Sequence, residues 1–380
     1  MKAKKNIVLV CEQFIQFCKK EIVFTVSVLL AVCSMFLVPF GKQYLSYPDY
    51  RVLALMFCLM LLVAGIREQG IFRSLGQKLT VHVKKSRQLE LVLVALCFFS
   101  SMLITNDVAL ITFVPFTLEL LLSAGLEKKI IKVVVLQTIA ANLGSMLTPV
   151  GNPQNLYLYS LTGVSLGEFL IWILPLTSVS MLLLAGTCLL DKDEPVLIST
   201  ETKAEQPSRL KLTALIILFV ICMGTVIRLI PWQISFMLVF VVGIIGFRNL
   251  FKEVDYCLLG TFLGFFVFVG NMQHIPAVSN WVAGMLKGRE LWVAAGASQI
   301  ISNVPAAMLL SGFTDQYKAL LYGVDVGGLG TLIASLASLI SYKFYCHSAK
   351  SNKGKYLLIF TLWNLLFLMI LLPLAYLLLR

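Results

Sequence analysis

The chain has 380 residues, of which 59% are hydrophobic and only 13% charged. A soluble globular chain is nearer a quarter charged, so this composition excludes a water-soluble enzyme. The formal net charge of +12 does not point to nucleic acid, because the basic residues lie in loops between apolar runs, where cytoplasmic loops collect Lys and Arg.

Apolar runs of about 20 residues, the length a bilayer core demands, recur along the chain. The N-terminal MKAKKNIVLVCEQFIQFCKKEIV is basic and interrupted by Lys19 and Lys20, and shows no small-residue cleavage site. It reads as an interfacial helix over 7–18 rather than a signal peptide. Clear spans are predicted at 21–39, 50–66, 166–190, 210–230, 232–247, 256–270 and 356–379. Three regions, 89–123, 130–163 and 291–341, are less regular, with Asn, Gly, Pro, Ser and Thr inside apolar sequence.

The N-terminal lysines and the segment 67–88, with Arg67, Arg73, Lys78, Lys84, Lys85 and Arg87, read as cytoplasmic. If 89–123 crossed once, the next basic cluster, Lys128, Lys129 and Lys132, would fall outside. A re-entrant hairpin resolves this: 89–104 enters, Thr105–Asp107 forms the tip and 108–123 returns. Non-helical backbone at that depth requires burial in protein or a wet cavity. The next segment is broken at ANLGSMLTPVGNPQN, 141–155, and DKDEPVLISTETKAEQPSR, 191–209, reads as a cytoplasmic linker.

The second half repeats the pattern. GASQIISNVPAAMLLSGF, 296–313, matches the first hairpin, and GVDVGGLGTLIASLASLIS, 323–341, matches the first break. The expected fold is an all-α polytopic membrane protein with inverted repeats, two re-entrant hairpins and two broken helices. Its parts are an N-terminal interfacial helix and first span (1–48), a first repeat (49–190), the linker (191–209), a scaffold-like helix pair (210–248) and a second repeat (249–380). Such repeats place binding sites at discontinuous helices near the midplane.

The candidate site residues follow from the interruptions. Thr105, Asn106 and Asp107 form the first tip; they can cap the returning helix, and a carboxylate at this depth should face protein or water. In the first break, Pro149 and Pro153 interrupt the helical ladder and Gly151 admits close approach. Thr148, Asn152 and Asn155 there supply a hydroxyl and two amides. Ser302, Asn303 and Pro305 make the second tip, with Pro305 suited to a first turn. Gly327, Gly328 and Gly330 loosen the second break, where Thr331, Ser335 and Ser338 offer hydroxyls. Helix N-termini at these breaks suit an anion. Asp107 suits a cation or proton, and a Na⁺ ion at Asn106, Asp107 and Asn152 is the candidate bound ion. No cofactor is expected, since no phosphate-binding or dinucleotide fingerprint appears.

TNDVALITFVPF and NLGSMLTPVGNPQN, with SNVPAAMLL and GGLGTLIASLASLIS, resemble the ion-transporter superfamily of arsenite permeases, citrate and dicarboxylate transporters and sodium/proton antiporters. The resemblance covers about 20–380. It implies paired inverted repeats, a homodimer and a moving transport region beside a scaffold, with the tip and break residues named above at the site. The tips read Thr-Asn-Asp and Ser-Asn-Val where the sodium-coupled dicarboxylate pattern has Ser-Asn-Thr at both.

The expected function is secondary transport of a small inorganic or organic anion, coupled to Na⁺ or H⁺. Cation/proton antiport and an arsenite-type channel or pump component remain open. The expected location is a bacterial inner membrane with the N-terminus in the cytoplasm, and the expected partners are the lipid bilayer and the small ion.

Overall fold

A computed structural model of the chain describes residues 13, 16–18, 21–80, 83–196, 208–348 and 351–380. Most of the stretch expected to form an N-terminal interfacial helix and the middle of the expected linker lie outside the described residues.

The described chain is all-helical. It opens with α1 (Ile22–Met35), α2 (Tyr50–Glu68) and α3 (Ile71–Thr80). The first hairpin is α4 (Ser86–Ser100) and α5 (Asn106–Ser123), followed by α6 (Ile130–Ser145), the broken segment, α7 (Pro153–Thr162) and α8 (Leu166–Leu189). Beyond the linker come α9 (Arg209–Val226) and α10 (Trp232–Gly246). Next are α11 (Tyr256–Gln273), α12 (Pro276–Leu286), and the second hairpin of α13 (Glu290–Ile301) and α14 (Asn303–Ser311). The chain ends with α15 (Tyr317–Gly327), the second break, α16 (Leu336–Cys346) and α17 (Lys353–Leu377).

Six of these helical segments are long and apolar enough to cross a membrane, and α1 and α10 are shorter apolar helices. Five of the seven predicted spans are helices of that length, whereas 21–39 and 232–247 form the shorter α1 and α10; the sixth long helix is α5, expected as the returning arm of the first hairpin. The segment 67–88 is not all loop: α3 forms within it, because its apolar residues fall on one helical face with Arg73, Gln77 and Lys78 on the other. The short α12 begins on Pro276, a residue preset for a helix's first turn.

The order α2 to α8 recurs as α11 to α17: a span, a short helix, a hairpin, a broken pair and a closing span. Matching helices make matching contacts, α4 against α6 and α13 against α15. The registers agree as well. Thr148 Oγ1 donates to the Met102 carbonyl at 2.5 Å, and Thr331 Oγ1 to the Gln299 carbonyl at 2.9 Å. Gly144 and Gly327, each four residues before its threonine, let the paired helices touch. A Cβ on Gly144 would stand 2.1 Å from the Phe98 carbonyl oxygen, and one on Gly327 would stand 2.8 Å from Ala295 Cα.

The linker is strapped to the base of the first hairpin. Lys129 donates to Glu90 at 2.9 Å and to Ser86 at 3.0 Å, and Lys132 to Asp191 at 2.5 Å. The Ser86 N–H meets the Glu194 carbonyl, and the Val196 N–H meets that of Lys84. Burial works against the charged form of Asp191, but the hydrogen bond and charge of Lys132 outweigh it and hold its carboxyl below the usual carboxylate range.

Candidate functional site

Each hairpin tip is tied to the break of its own half by one backbone bond. The Asn106 N–H donates to the Gly151 carbonyl at 3.0 Å, and the Asn303 N–H to the Ala334 carbonyl at 2.9 Å. These bonds bring four helix starts together, those of α5, α7, α14 and α16. A small cavity between them is lined by Asn106, Asp107, Gln154, Asn303 and Ser335 among others. The expected convergence of the two tips is therefore observed. Four helix N-termini meet there, and although the first N–H groups of α5 and α14 are already paired, each helix adds positive partial charge.

The side chains divide the labour. Asn152 caps α7: its Oδ1 accepts from the Asn155 N–H at 3.0 Å and its Nδ2 donates to Ser145 Oγ at 3.1 Å. Asn155 Nδ2 donates to the Met146 carbonyl at 2.9 Å. Thr105 and Ser302 occupy N-cap positions without making a side-chain cap bond. The adjacent Asn106 and Asn303 instead accept from the next N–H with their own Oδ1, at 2.9 and 3.0 Å. Ser302 has φ +73° and ψ 153°, a region close to glycine-only, whereas Thr105 at φ −59° is relaxed.

Not every predicted residue faces the cavity. Thr148 and Thr331 stitch their breaks to the hairpins, and Thr331 is exposed. Pro149 and Pro153 flank the cap of α7, and Pro305 sits in the first turn of α14. Gly151 supplies the tip's acceptor carbonyl, Gly328 stands beside the Asn303 amide, and Gly330 turns the second break at φ +108°. Ser338 is buried, and its hydroxyl has no hydrogen-bond partner among the described residues.

Several residues of the site were absent from the sequence expectation. Asn142 on α6 joins the halves, its Oδ1 accepting from Asn106 Nδ2 at 3.0 Å and from Ser335 Oγ at 2.9 Å. Asp325 on α15 joins them a second time, with Gln154 Nε2 donating to its Oδ1 at 3.3 Å. A register signal marks both: Asn142 lies six residues before Thr148, and Asp325 six before Thr331.

Asp107 is half-buried, and among the described residues its carboxylate takes no protein hydrogen bond. It borders both the inner cavity and a cleft of about 180 Å³ that reaches Arg67, Glu253 and Asp255. Arg67 pairs with Glu253 at 2.7 Å across that cleft. The oxygens of Asn106 and Asn152 already accept one N–H each, which leaves one lone pair apiece for a cation beside Asp107.

A second cleft of about 530 Å³ contains Asp49, Tyr157, Gln273, Ser311 and Asp315. The first cleft touches the N-terminal ends of α7 and α11, and the second touches their C-terminal halves. In the second cleft Tyr157 and Ser311 share a hydrogen bond of 2.8 Å, and the Tyr157 ring packs against Phe262 and Phe266.

Membrane-length helices and two broken segments that meet at a small cavity define a polytopic membrane protein. Comparison with known proteins gives the family. A model of the citrate transporter family matches residues 14–321. The chain is 31% identical over 333 residues to inner membrane protein YbiR of Escherichia coli strain K12, covering 84% of this chain and 87% of that protein. It is 30% identical over 313 residues to uncharacterized transporter MJ0456 of Methanocaldococcus jannaschii, covering 82% and 85% respectively. Over 127 residues, 33% of this chain and 26% of its relative, it is 33% identical to silicon efflux transporter LSI3 of Oryza sativa subsp. japonica. The chain belongs to the citrate transporter family; it is a membrane transporter and not an enzyme.

Proposed function

We propose that the protein is a secondary active transporter of a small inorganic or organic anion, driven by Na⁺ or H⁺. One observation supports this reading: the N-termini of α5, α7, α14 and α16 border one small cavity, of about 10 Å³ in this conformation. Four converging helix starts favour an anion without any Arg or Lys at the site. Asp107 is the one carboxylate on the cavity wall, so its charge must be offset by a cation or proton for an anion to sit nearby. That requirement ties anion binding to the driving ion. The matched element order and tip-to-break bonds support reading the halves as inverted repeats. They would move by an elevator-type shift of hairpins and breaks past a scaffold of α1, α2 and α9 to α11. The protein would lie in a cell inner membrane with its N-terminus in the cytoplasm, as a homodimer.

The test is uptake into proteoliposomes of labelled citrate and arsenite, with Na⁺ or pH gradients imposed singly. Saturable accumulation of an anion under one gradient supports the proposal. Passive equilibration that never exceeds the bath concentration refutes it.

A specific feature favours cation/proton antiport as a second reading. The cleft leading to Asp107 also presents Glu253 and Asp255 against a single Arg67, an acidic mouth that would gather cations. Cation-dependent proton release from anion-free vesicles would decide for it.

A further inference from the structure

The matched order of the halves gives each one short surface helix, α3 after α2 and α12 after α11. α3 starts at Ile71, three residues beyond the end of the membrane-length α2, and Gly70 at φ +69° turns the chain between them. Its apolar side chains, Ile71, Phe72, Leu75 and Leu79, recur at helical spacing and form one stripe. Only one edge of that stripe is used inside the protein. Phe72 meets Phe113 of α5 edge-on, with ring centroids 6.5 Å apart, and a Cβ on Gly76 would stand 3.1 Å from Phe116 of α5. Leu75 and Leu79, one turn apart, are 42% and 48% exposed.

The charges beside the stripe have one sign. Residues 67–88 hold six Lys and Arg against one acid, Glu68. Four of the six are engaged: Arg67 with Glu253, Arg73 with Glu119 at 3.5 Å, Lys85 with Asp193 at 3.4 Å, and Arg87 with the Asp191 carbonyl. Lys78 and Lys84 are exposed and, among the described residues, pair with no carboxylate. Lys78 borders the leucines, three residues on from Leu75 and next to Leu79. α12 is the contrast. PAVSNWVAGML has no charged residue, and its largest exposed side chain is Trp281, a residue type that anchors at membrane interfaces without a charge of its own. Other occupants fit the α3 patch badly. The N-terminal stretch carries Lys2, Lys4, Lys5, Lys19 and Lys20, and a second copy of α3 would bring Lys78 and Lys84 against themselves, so both are repelled. The linker acids Asp191 and Asp193 are already held by Lys132 and Lys85.

We propose that α3 docks on anionic phospholipid. Leu75 and Leu79 enter the acyl boundary, as an amphipathic surface helix does, and Lys78 and Lys84 meet the headgroup phosphates. The consequence reaches the site through α5. α3 holds α5 at Phe113, Phe116 and Glu119, and α5 begins with the tip residues Asn106 and Asp107. Lipid that fixes α3 against the bilayer surface therefore sets where the arm behind the first tip can move. The docking stands apart from the transport reading above; its effect on transport rests on that reading.

The experiment titrates fluorescent phosphatidylglycerol onto the full chain purified in mild detergent, with unlabelled phosphatidylglycerol, phosphatidylcholine and inorganic phosphate as competitors. The Lys78→Gln/Lys84→Gln variant should bind phosphatidylglycerol about 30-fold more weakly, roughly fivefold for each lysine lost. The Arg209→Gln/Lys211→Gln variant, which removes as much charge from the exposed start of α9, should bind as wild type does. Leu75→Ser/Leu79→Ser should also weaken binding. All six positions are exposed, so the variants should fold. Equal weakening in the two charge variants overturns the proposal, as does competition by phosphatidylcholine or inorganic phosphate as strong as that by phosphatidylglycerol. In vesicles, wild-type accumulation should fall when phosphatidylglycerol is replaced by phosphatidylcholine, and that of Lys78→Gln/Lys84→Gln should not change. An equal response of both would overturn the link to the hairpin. If wild type accumulates none of the anions tried in either lipid while binding behaves as expected, the anion reading fails and the docking stands.

Discussion

The two breaks have one backbone design and different chemistry. In both, a threonine hydroxyl binds the hairpin, a glycine admits close helix contact, and a tip asparagine N–H binds the residue before the helix start. The side chains then diverge: Asn142, Asn152 and Asn155 in the first half stand where Asp325, Ser335 and Ser338 stand in the second. The first half offers amides, which donate and accept; the second offers hydroxyls and a carboxyl. The repeated backbone bonds tie each tip to the break of its own half. On the proposed reading, the side chains differ because anion binding and ion coupling need different groups.

The tips sharpen that contrast. Only the first carries a carboxylate, so Asp107→Asn should give the largest effect, loss of ion-driven accumulation in proteoliposomes. Substituting the matching Val304 by Ala should leave ion dependence intact. Next in size are the contact glycines. Gly144→Ala drives a Cβ into backbone and should cost about 3 kcal/mol, while Gly327→Ala, with more room, should cost about 1–2 kcal/mol. Thermal unfolding in detergent would rank them, and equal losses would break the claim that the first contact is tighter.

Smaller still is the strain at the second tip. Ser302→Gly should stabilise by about 1 kcal/mol through relief of its backbone, and Thr105→Gly should destabilise by about 0.5–1 kcal/mol through added chain entropy. The same sign for both would show that the tips are not strained differently. The smallest expected effect is at the linker strap. The folded Asp191 carboxyl lies below its ordinary range, so its stabilisation is full above the ordinary carboxylate value and fades as pH falls through the folded value. Asp191→Asn should flatten the acid limb of a stability-against-pH curve.

Most spans, both helix pairs at the tips and both breaks were legible because Asn, Gly and Pro are costly inside apolar helices, so their clustering marks where helices stop; the membrane length of α5 was not, because its polar start reads as a hairpin tip. The helices α3 and α12 were not legible. They are too short or too polar to register as spans, and a run such as IFRSLGQKLT reads as a charged loop unless its helical face is traced. Thr148 and Thr331 were legible as polar but not as hairpin anchors, since a hydroxyl's partner depends on tertiary packing. Asn142 and Asp325 escaped notice because each is a single polar residue within an apolar stretch. Only the register shared by the two halves marks them as a pair.

The central claim is that one cavity among four helix starts holds the transported anion. Its most direct test is a cryo-electron microscopy map of the protein in lipid nanodiscs with a saturating transported anion. Density bounded by Asn106, Asn303 and Ser335, within hydrogen-bond reach of their helix N-termini, is the expected result. Density confined to the cleft of Asp49 and Asp315, with the inner cavity still closed, would contradict it.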